Sequence, residues 1–153
     1  MIYTPLTNRA MQLAYEAHAG QTDKSGVPYI FHPYHLAEQM SDEIAVCVAL
    51  LHDVLEDTPV TVRELEREFP PAVTEAVRLL TYDREMDYFD YIRSLAVCPV
   101  ARQVKLADLR HNQDQTRLKG CMQVSEEQRE KWRIKYQRAL ELLLSLDGSA
   151  GKN

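Results

Sequence analysis

The chain has 153 residues, 45% of them apolar, and a formal net charge of −5. That is enough for one domain with a hydrophobic core, and it excludes a disordered chain. With no basic block it also excludes a general nucleic-acid surface, though not a small anionic substrate held by a metal ion and a few local cations. No apolar run approaches the roughly 20 residues of a membrane helix, and MIYTPLTNRA has neither the basic region nor the apolar core of a secretory leader. Cys47, Cys98 and Cys121 are widely spaced and odd in number, which points to reduced thiols and a cytoplasmic setting.

In chain order, nearly every segment reads at helical period. Thr7 is placed to cap a first helix over NRAMQLAYEAHAG, closed by Gly20. The loop QTDKSGVPY follows, and His32, just before Pro33, falls at the mouth of a second helix over Pro33 to Met40. A third helix is expected from Ser41 or Asp42 through to Glu56, with Cys47 as packing. Thr61 and Glu64 form a capping box for VRELEREF, which Pro70-Pro71 ends. Helices over AVTEAVRLLT, YFDYIRSLA and VARQVKLADLRHN come next, then a long amphipathic one from Ser125 to Leu146. The expected architecture is an all-α, single-domain bundle of irregular topology over 1–147, with a flexible tail at 148–153.

The chemistry-bearing stretch is LLHDVLEDT, where the apolar run IAVCVALL gives way to His52-Asp53 and then Glu56-Asp57. On an unbroken helix His52 lies over Glu56 and Asp53 over Asp57, so all four share one polar strip. In KLADLRHN, Lys105, Asp108 and Asn112 occupy one face. Imidazoles and carboxylates are metal ligands, and His32, His52, Asp53 and Asp108 make a two-His, two-carboxylate set suited to Mn²⁺ or Fe²⁺, with Zn²⁺, Ni²⁺ or Mg²⁺ as other occupants. Such an ion activates a water that Glu56 and Asp57 can orient. Caps and a buried ion-pair network use the same residue types, and spacing alone does not bring His32 or Asp108 to His52; both readings stand at this level.

The blocks HAGQTDKSGVPYIFHP, ALLHDVLEDT and VKLADLRHN, in that order, resemble the HD-domain metal-dependent phosphohydrolases, and more closely the hydrolase domain of the RelA/SpoT alarmone enzymes and their small stand-alone relatives. The resemblance runs from His18 to Asn112. It implies an HD-type helical fold and one divalent ion, usually Mn²⁺, on His32, His52, Asp53 and Asp108. It implies water activation by Glu56 and Asp57, and substrate contacts from Lys24 and Asn112. The implied reaction removes the 3′-pyrophosphate of guanosine tetra- or pentaphosphate. Two departures fall on substrate recognition: Asp23 stands where the resemblance expects an arginine, where it would repel phosphates, and ADLRHN replaces ADRLHN, so Arg110 points elsewhere.

The expected function is therefore cleavage of a phosphate or pyrophosphate ester of a small nucleotide, with the alarmone as one substrate. The alternatives are another nucleotide such as NADPH, or a non-catalytic nucleotide- and metal-binding module. The chain is too short to add the synthetase domain of the long enzymes, so hydrolysis alone is expected. Trp132, Tyr136, Ala139, Leu140 and Leu143 read as one apolar stripe packed on the bundle, with the Tyr136 hydroxyl available to a phosphate and Trp132 and Arg133 as further pocket-closing groups. The last helix serves either a dimer or the bundle itself. His18, His35 and His111 read as helix-surface or supporting residues, His111 nearest the metal.

Overall fold

The computed structural model describes residues 1–118 and 124–147, so the expected tail at 148–153 and Cys121 lie outside the described residues. Among them the chain is helical, with one isolated bridge between Thr22 and Pro28 and no strand. The elements are α1 (Pro5–Ala17), α2 (Phe31–Glu38), α3 (Glu43–Leu51), α4 (Val54–Asp57), α5 (Val62–Glu68), α6 (Pro71–Leu80), α7 (Tyr88–Leu95) and α8 (Pro99–Gln113), then a 3-10 turn (Gln115–Leu118) and α9 (Glu126–Asp147). The all-α bundle expected from the periodicity is what forms.

Local chemistry sets the boundaries, and several differ from the sequence reading. Thr4, not Thr7, caps α1. The Thr4 hydroxyl accepts from Thr7 N at 3.1 Å while Thr7 Oγ1 accepts from Thr4 N at 2.8 Å. Pro5 holds the first helical position with its φ preset, which moves the start upstream. The helix ends at Ala17, and Gly20 sits in the turn beyond it at φ +81°. Helix α2 begins at Phe31, two residues before the expected Pro33, so His32 lies inside the first turn. There the missing N–H of Pro33 has no helical partner to lose. The capping box of Thr61 and Glu64 forms as expected.

The core is organised by α3. Asp42 caps it by accepting from Ala45 N at 2.9 Å. All residues from Ala45 to Leu51 are buried, Cys47 completely so. A helix apolar all round belongs at the centre, and α3 packs on α1, α2, α6 and α8. Each buried Val or Leu contributes on the order of 1.5–3 kcal/mol. Burial pushes the Cys47 thiol up to about 12. Helix α9 closes the bundle against α7 and α8. Its expected stripe is split: Ala139 and Leu143 are buried in the core, while Trp132 and Tyr136 line a cavity. Arg133 pairs with Glu130 on the exposed side of α9 and takes no part in that lining.

The expected third helix does not run unbroken to Glu56. It stops at Leu51, with His52 and Asp53 forming a break before α4. His52 folds its Nδ1 back onto the Ala49 carbonyl at 2.7 Å, and Asp53 takes φ −106°, ψ 0°. The single polar strip is replaced by two groupings that share Asp53.

Candidate metal and phosphate site

The break aims His52 inward. A carbonyl oxygen only accepts, so the Ala49 contact fixes His52 Nδ1 as the donor and leaves Nε2 as a bare lone pair. Among the described residues this Nε2 is buried without a hydrogen-bond partner, and it faces Asp53 Oδ2 at 2.8 Å and Asp108 Oδ1 at 3.9 Å. A lone pair set against carboxylate oxygens requires a cation between them. A proton meets that need by lifting His52 to about 9: burial opposes the charge, and Asp53, then Asp108, overcome it. A divalent ion meets the same need with stronger bonds.

His32, from the first turn of α2, repeats the arrangement. Its Nδ1 lies 2.7 Å from His111 Nδ1 and its Nε2 lies 3.0 Å from Asp108 Oδ1. Burial, and then the charges of Arg117, His32 and His35, lower His111 to about 4, so it is a neutral ring able to accept from His32. Ligand atoms of His32, His52 and Asp53 lie within 4.8 Å of one another, as do those of Asp53, Glu56 and Asp57. The cluster of His32, His52 and Asp53 can hold one divalent ion, each imidazole having its other nitrogen held by a protein acceptor, while Asp108 faces both imidazoles from outside that group.

Asp108 is the most heavily braced of these groups. Its Oδ2 takes Lys105 Nζ at 2.8 Å, and its Oδ1 takes Asn112 Nδ2 at 2.9 Å besides facing His32. Burial alone would raise this carboxyl, but Lys105 and then His32 hold it well below the usual range. Asp53 is held down to about 2: burial opposes, and His52 prevails. Tyr29 donates a short hydrogen bond to Asp53 Oδ2. Behind Tyr29 sits His18, which is buried rather than on a helix surface, with Nδ1 2.8 Å from Gln21 Oε1.

Glu56 and Asp57 open onto the cavity. Glu56 accepts from Tyr82 N at 2.7 Å. Both carboxyls are raised, first by the surrounding protein; repulsion from Asp53 adds to both. A carboxylate moved up toward neutrality is a better proton acceptor from water. The cavity has a volume of about 560 Å³. Its lining includes every expected site residue except the buried His52, namely Lys24, His32, Asp53, Glu56, Asp57, Asp108, Asn112 and Tyr136.

The HD domain profile matches residues 10–108. The chain belongs to the HD-domain family. HD domains bind a divalent metal, which agrees with the His/Asp cluster described above. The domain is 37% identical over 119 residues to the bifunctional (p)ppGpp synthase/hydrolase SpoT of Escherichia coli K12, covering 68% of this chain and 17% of that protein. It is 48% identical over 69 residues to a guanosine-3′,5′-bis(diphosphate) 3′-pyrophosphohydrolase of Haemophilus influenzae, covering 42% of this chain and 10% of that one. The chain thus spans less than a fifth of the length of these relatives. A solved structure described as a metazoan ortholog of SpoT that hydrolyzes ppGpp superposes with a TM-score of 0.77 at 26% identity, covering 97% of this chain and 95% of that one.

In this HD domain several residues absent from the sequence reading hold the site together. Tyr29 precedes His32 by three positions, and its carbonyl accepts from His32 N at 3.0 Å, so loop and ligand are set together. Lys105 was legible as a neighbour of Asp108 but not as its buried ion partner, which also stands over the Tyr91 ring at 5.4 Å. Asn112, expected on the substrate, spends its amide N–H on Asp108. Asp23 does not present the bare charge expected to repel phosphates. It accepts from Ser25 N, Ser25 Oγ and Val27 N, and pairs with Arg117 at 3.3 Å. Arg117 and Lys135, which also line the cavity, carried no motif.

Proposed function

We propose that the protein is a cytoplasmic, metal-dependent phosphohydrolase of nucleotides, acting on the 3′-pyrophosphate of guanosine 3′,5′-bis(diphosphate). The observation that carries this reading is the buried Nε2 of His52 facing two carboxylates, Asp53 and Asp108, that line a cavity together with Glu56 and Asp57. The activities of the relatives support the choice of substrate.

His32, His52, Asp53 and Asp108 would hold the ion, with Mn²⁺ as the natural occupant. When bound, it supplies Lewis acidity toward a phosphoryl oxygen and lowers the pKa of water. Glu56 and Asp57 orient the attacking water and take its proton, a task suited to carboxyls raised by their surroundings. Tyr29 and Lys105 keep Asp53 and Asp108 fixed, so these carboxylates do not swing during the reaction. Lys24 and Tyr136 bind the substrate from the cavity wall, and Asn112 does so from beside Asp108.

The test is to purify the protein, load it with Mn²⁺ and assay release of pyrophosphate or phosphate from guanosine tetraphosphate, pentaphosphate, NADPH and common nucleotides. Pyrophosphate release from the alarmones that disappears in Asp53→Ala is the expected result. Phosphate release from NADPH alone would keep the chemistry and replace the substrate. Turnover unchanged in Asp53→Ala sinks the proposed site. Tight nucleotide binding without turnover in the presence of metal would make the domain a binding module.

A further inference from the structure

Glu56 and Asp57 stand on α4, a single turn of four residues. Asp57 N closes it on the Asp53 carbonyl at 2.9 Å. A turn this short does not persist alone, and its last carbonyls have no helical partner. The Thr58 hydroxyl takes up one of them, donating to Val54 O at 2.6 Å. The Asp57 carbonyl accepts instead from the side-chain N–H of Gln21 at 2.9 Å, a residue 36 positions earlier in the loop after α1.

The direction of that contact fixes the next one. A carbonyl only accepts, so Gln21 turns Nε2 to Asp57 and Oε1 to His18, whose Nδ1 lies 2.8 Å away and must donate. Among the described residues His18 Nε2 is buried with no hydrogen-bond partner, so the bond to Gln21 is the one that its ring makes. An apolar side chain would fill the same space without stranding a nitrogen. What the imidazole adds is an N–H that holds the Gln21 amide in one orientation. The same loop grips the other end of the turn. The Gln21 carbonyl accepts from Tyr29 N at 2.9 Å, the Tyr29 and His18 ring centroids lie 4.9 Å apart, and the Tyr29 hydroxyl donates to Asp53. Neither His18 nor Gln21 lines the cavity, so both act through the backbone of α4 and not on a substrate.

Resting on the phosphohydrolase reading, we propose that His18 and Gln21 are positioning residues: the chain from the His18 ring through the Gln21 amide to the Asp57 carbonyl sets the water-orienting carboxylates Glu56 and Asp57 against the metal ligands. The ligands themselves have other supports, His111 for His32, the Ala49 carbonyl for His52, Tyr29 for Asp53 and Lys105 for Asp108. The clamp therefore governs turnover and leaves metal binding alone.

Gln21→Glu keeps the shape and the acceptor toward His18 but has no N–H for Asp57. In the Mn²⁺-loaded full chain its kcat on guanosine tetraphosphate should fall by about 10–100-fold, as for a displaced reacting group, with KM and metal content by elemental analysis unchanged. His18→Ala should fall likewise. His18→Asn, whose side-chain amide can donate from near the Nδ1 position, should recover most of that loss. A residue that only supports the fold would not show this recovery with metal content intact. Independently of turnover, amide hydrogen exchange followed by mass spectrometry should be faster in peptides spanning 53–58 of Gln21→Glu, with α3 and α8 unmoved. This variant changes a partly exposed side chain, so it decides the matter even where His18→Ala does not fold. An unchanged exchange rate over 53–58, or metal lost along with turnover, overturns the proposal. Alarmone turnover left intact in Gln21→Glu sinks the clamp and leaves the phosphohydrolase reading. A wild type that cleaves no nucleotide, with faster exchange over 53–58 in Gln21→Glu, supports the clamp and sinks that reading.

Discussion

The carboxylate wall and the cationic wall of one cavity are built in opposite ways. Asp53, Glu56 and Asp57 come from five consecutive positions, and the neighbouring Asp108 and His32 are braced by partly buried partners: Lys105, Asn112 and His111. Lys24, Arg117 and Lys135 come from three distant segments and are held by ring faces, one carbonyl and one partly buried ion pair. The first wall is part of the fold; the second is hung on it. Substrate preference can therefore change without loss of the chemistry, and damage to the two walls should register in different measurements.

The comparison is broken most directly at Asp53. Asp53→Ala removes a carboxylate common to both acidic groupings, and metal content by elemental analysis and turnover should both fall to background. Next comes Lys105→Ala, which leaves Asp108 buried without its ion partner. A loss of about 3–5 kcal/mol in urea unfolding is expected. If stability drops by less than about 1 kcal/mol, the carboxylate wall is not integral to the fold. Asn112→Ala should weaken metal affinity by about 10–100-fold, as for other residues that orient a ligand, with little change in stability.

A smaller effect sharpens the other side. Burial alone would raise the Asp23 carboxyl, but the hydroxyl and N–H of Ser25, the N–H of Val27 and the charge of Arg117 hold it below the ordinary value. A depressed folded-state pKa means that the stabilisation is fully present above the unfolded value near ~3.9 and is lost as pH falls through the lower folded value. The melting-temperature gap between wild type and Asp23→Asn should thus be constant from pH 7 to about 5 and close progressively below about 4. A gap that widens on acidification would contradict the assignment. The smallest effect is at the bundle edge: Thr61→Ala should cost about 1 kcal/mol through loss of the cap, with metal binding untouched.

How far the sequence foretold this molecule follows the same division. The helical character of nearly every segment, the capping box at Thr61 and the sharing of one face by Lys105, Asp108 and Asn112 are legible because each depends on near neighbours. The start of α1 lies upstream of the expected Thr7 because Pro5 takes the first helical position behind the Thr4 cap. The break at His52-Asp53 carries no local signal: Val54, Leu55 and Glu56 continue a good helical pattern with no glycine or proline. At the break one long-range contact, from Tyr29 to Asp53, meets two local ones, His52 against Asp53 and His52 folded back on Ala49. Asp23 differs from its expected role for a related reason: the effect of a carboxylate's charge depends on its hydrogen-bond partners, here Ser25, Val27 and Arg117.

One further consequence lies in the thiol at the centre of α3. Cys47 is fully buried, and burial pushes its pKa to about 12, so thiol reagents can modify it only when the core opens. It sits five residues before His52 on the helix that leads into the site. Any ion bound by the folded state alone shifts the opening equilibrium by mass action. The labelling rate of this one side chain, followed by mass spectrometry, is therefore a built-in gauge of metal occupancy that requires no substrate.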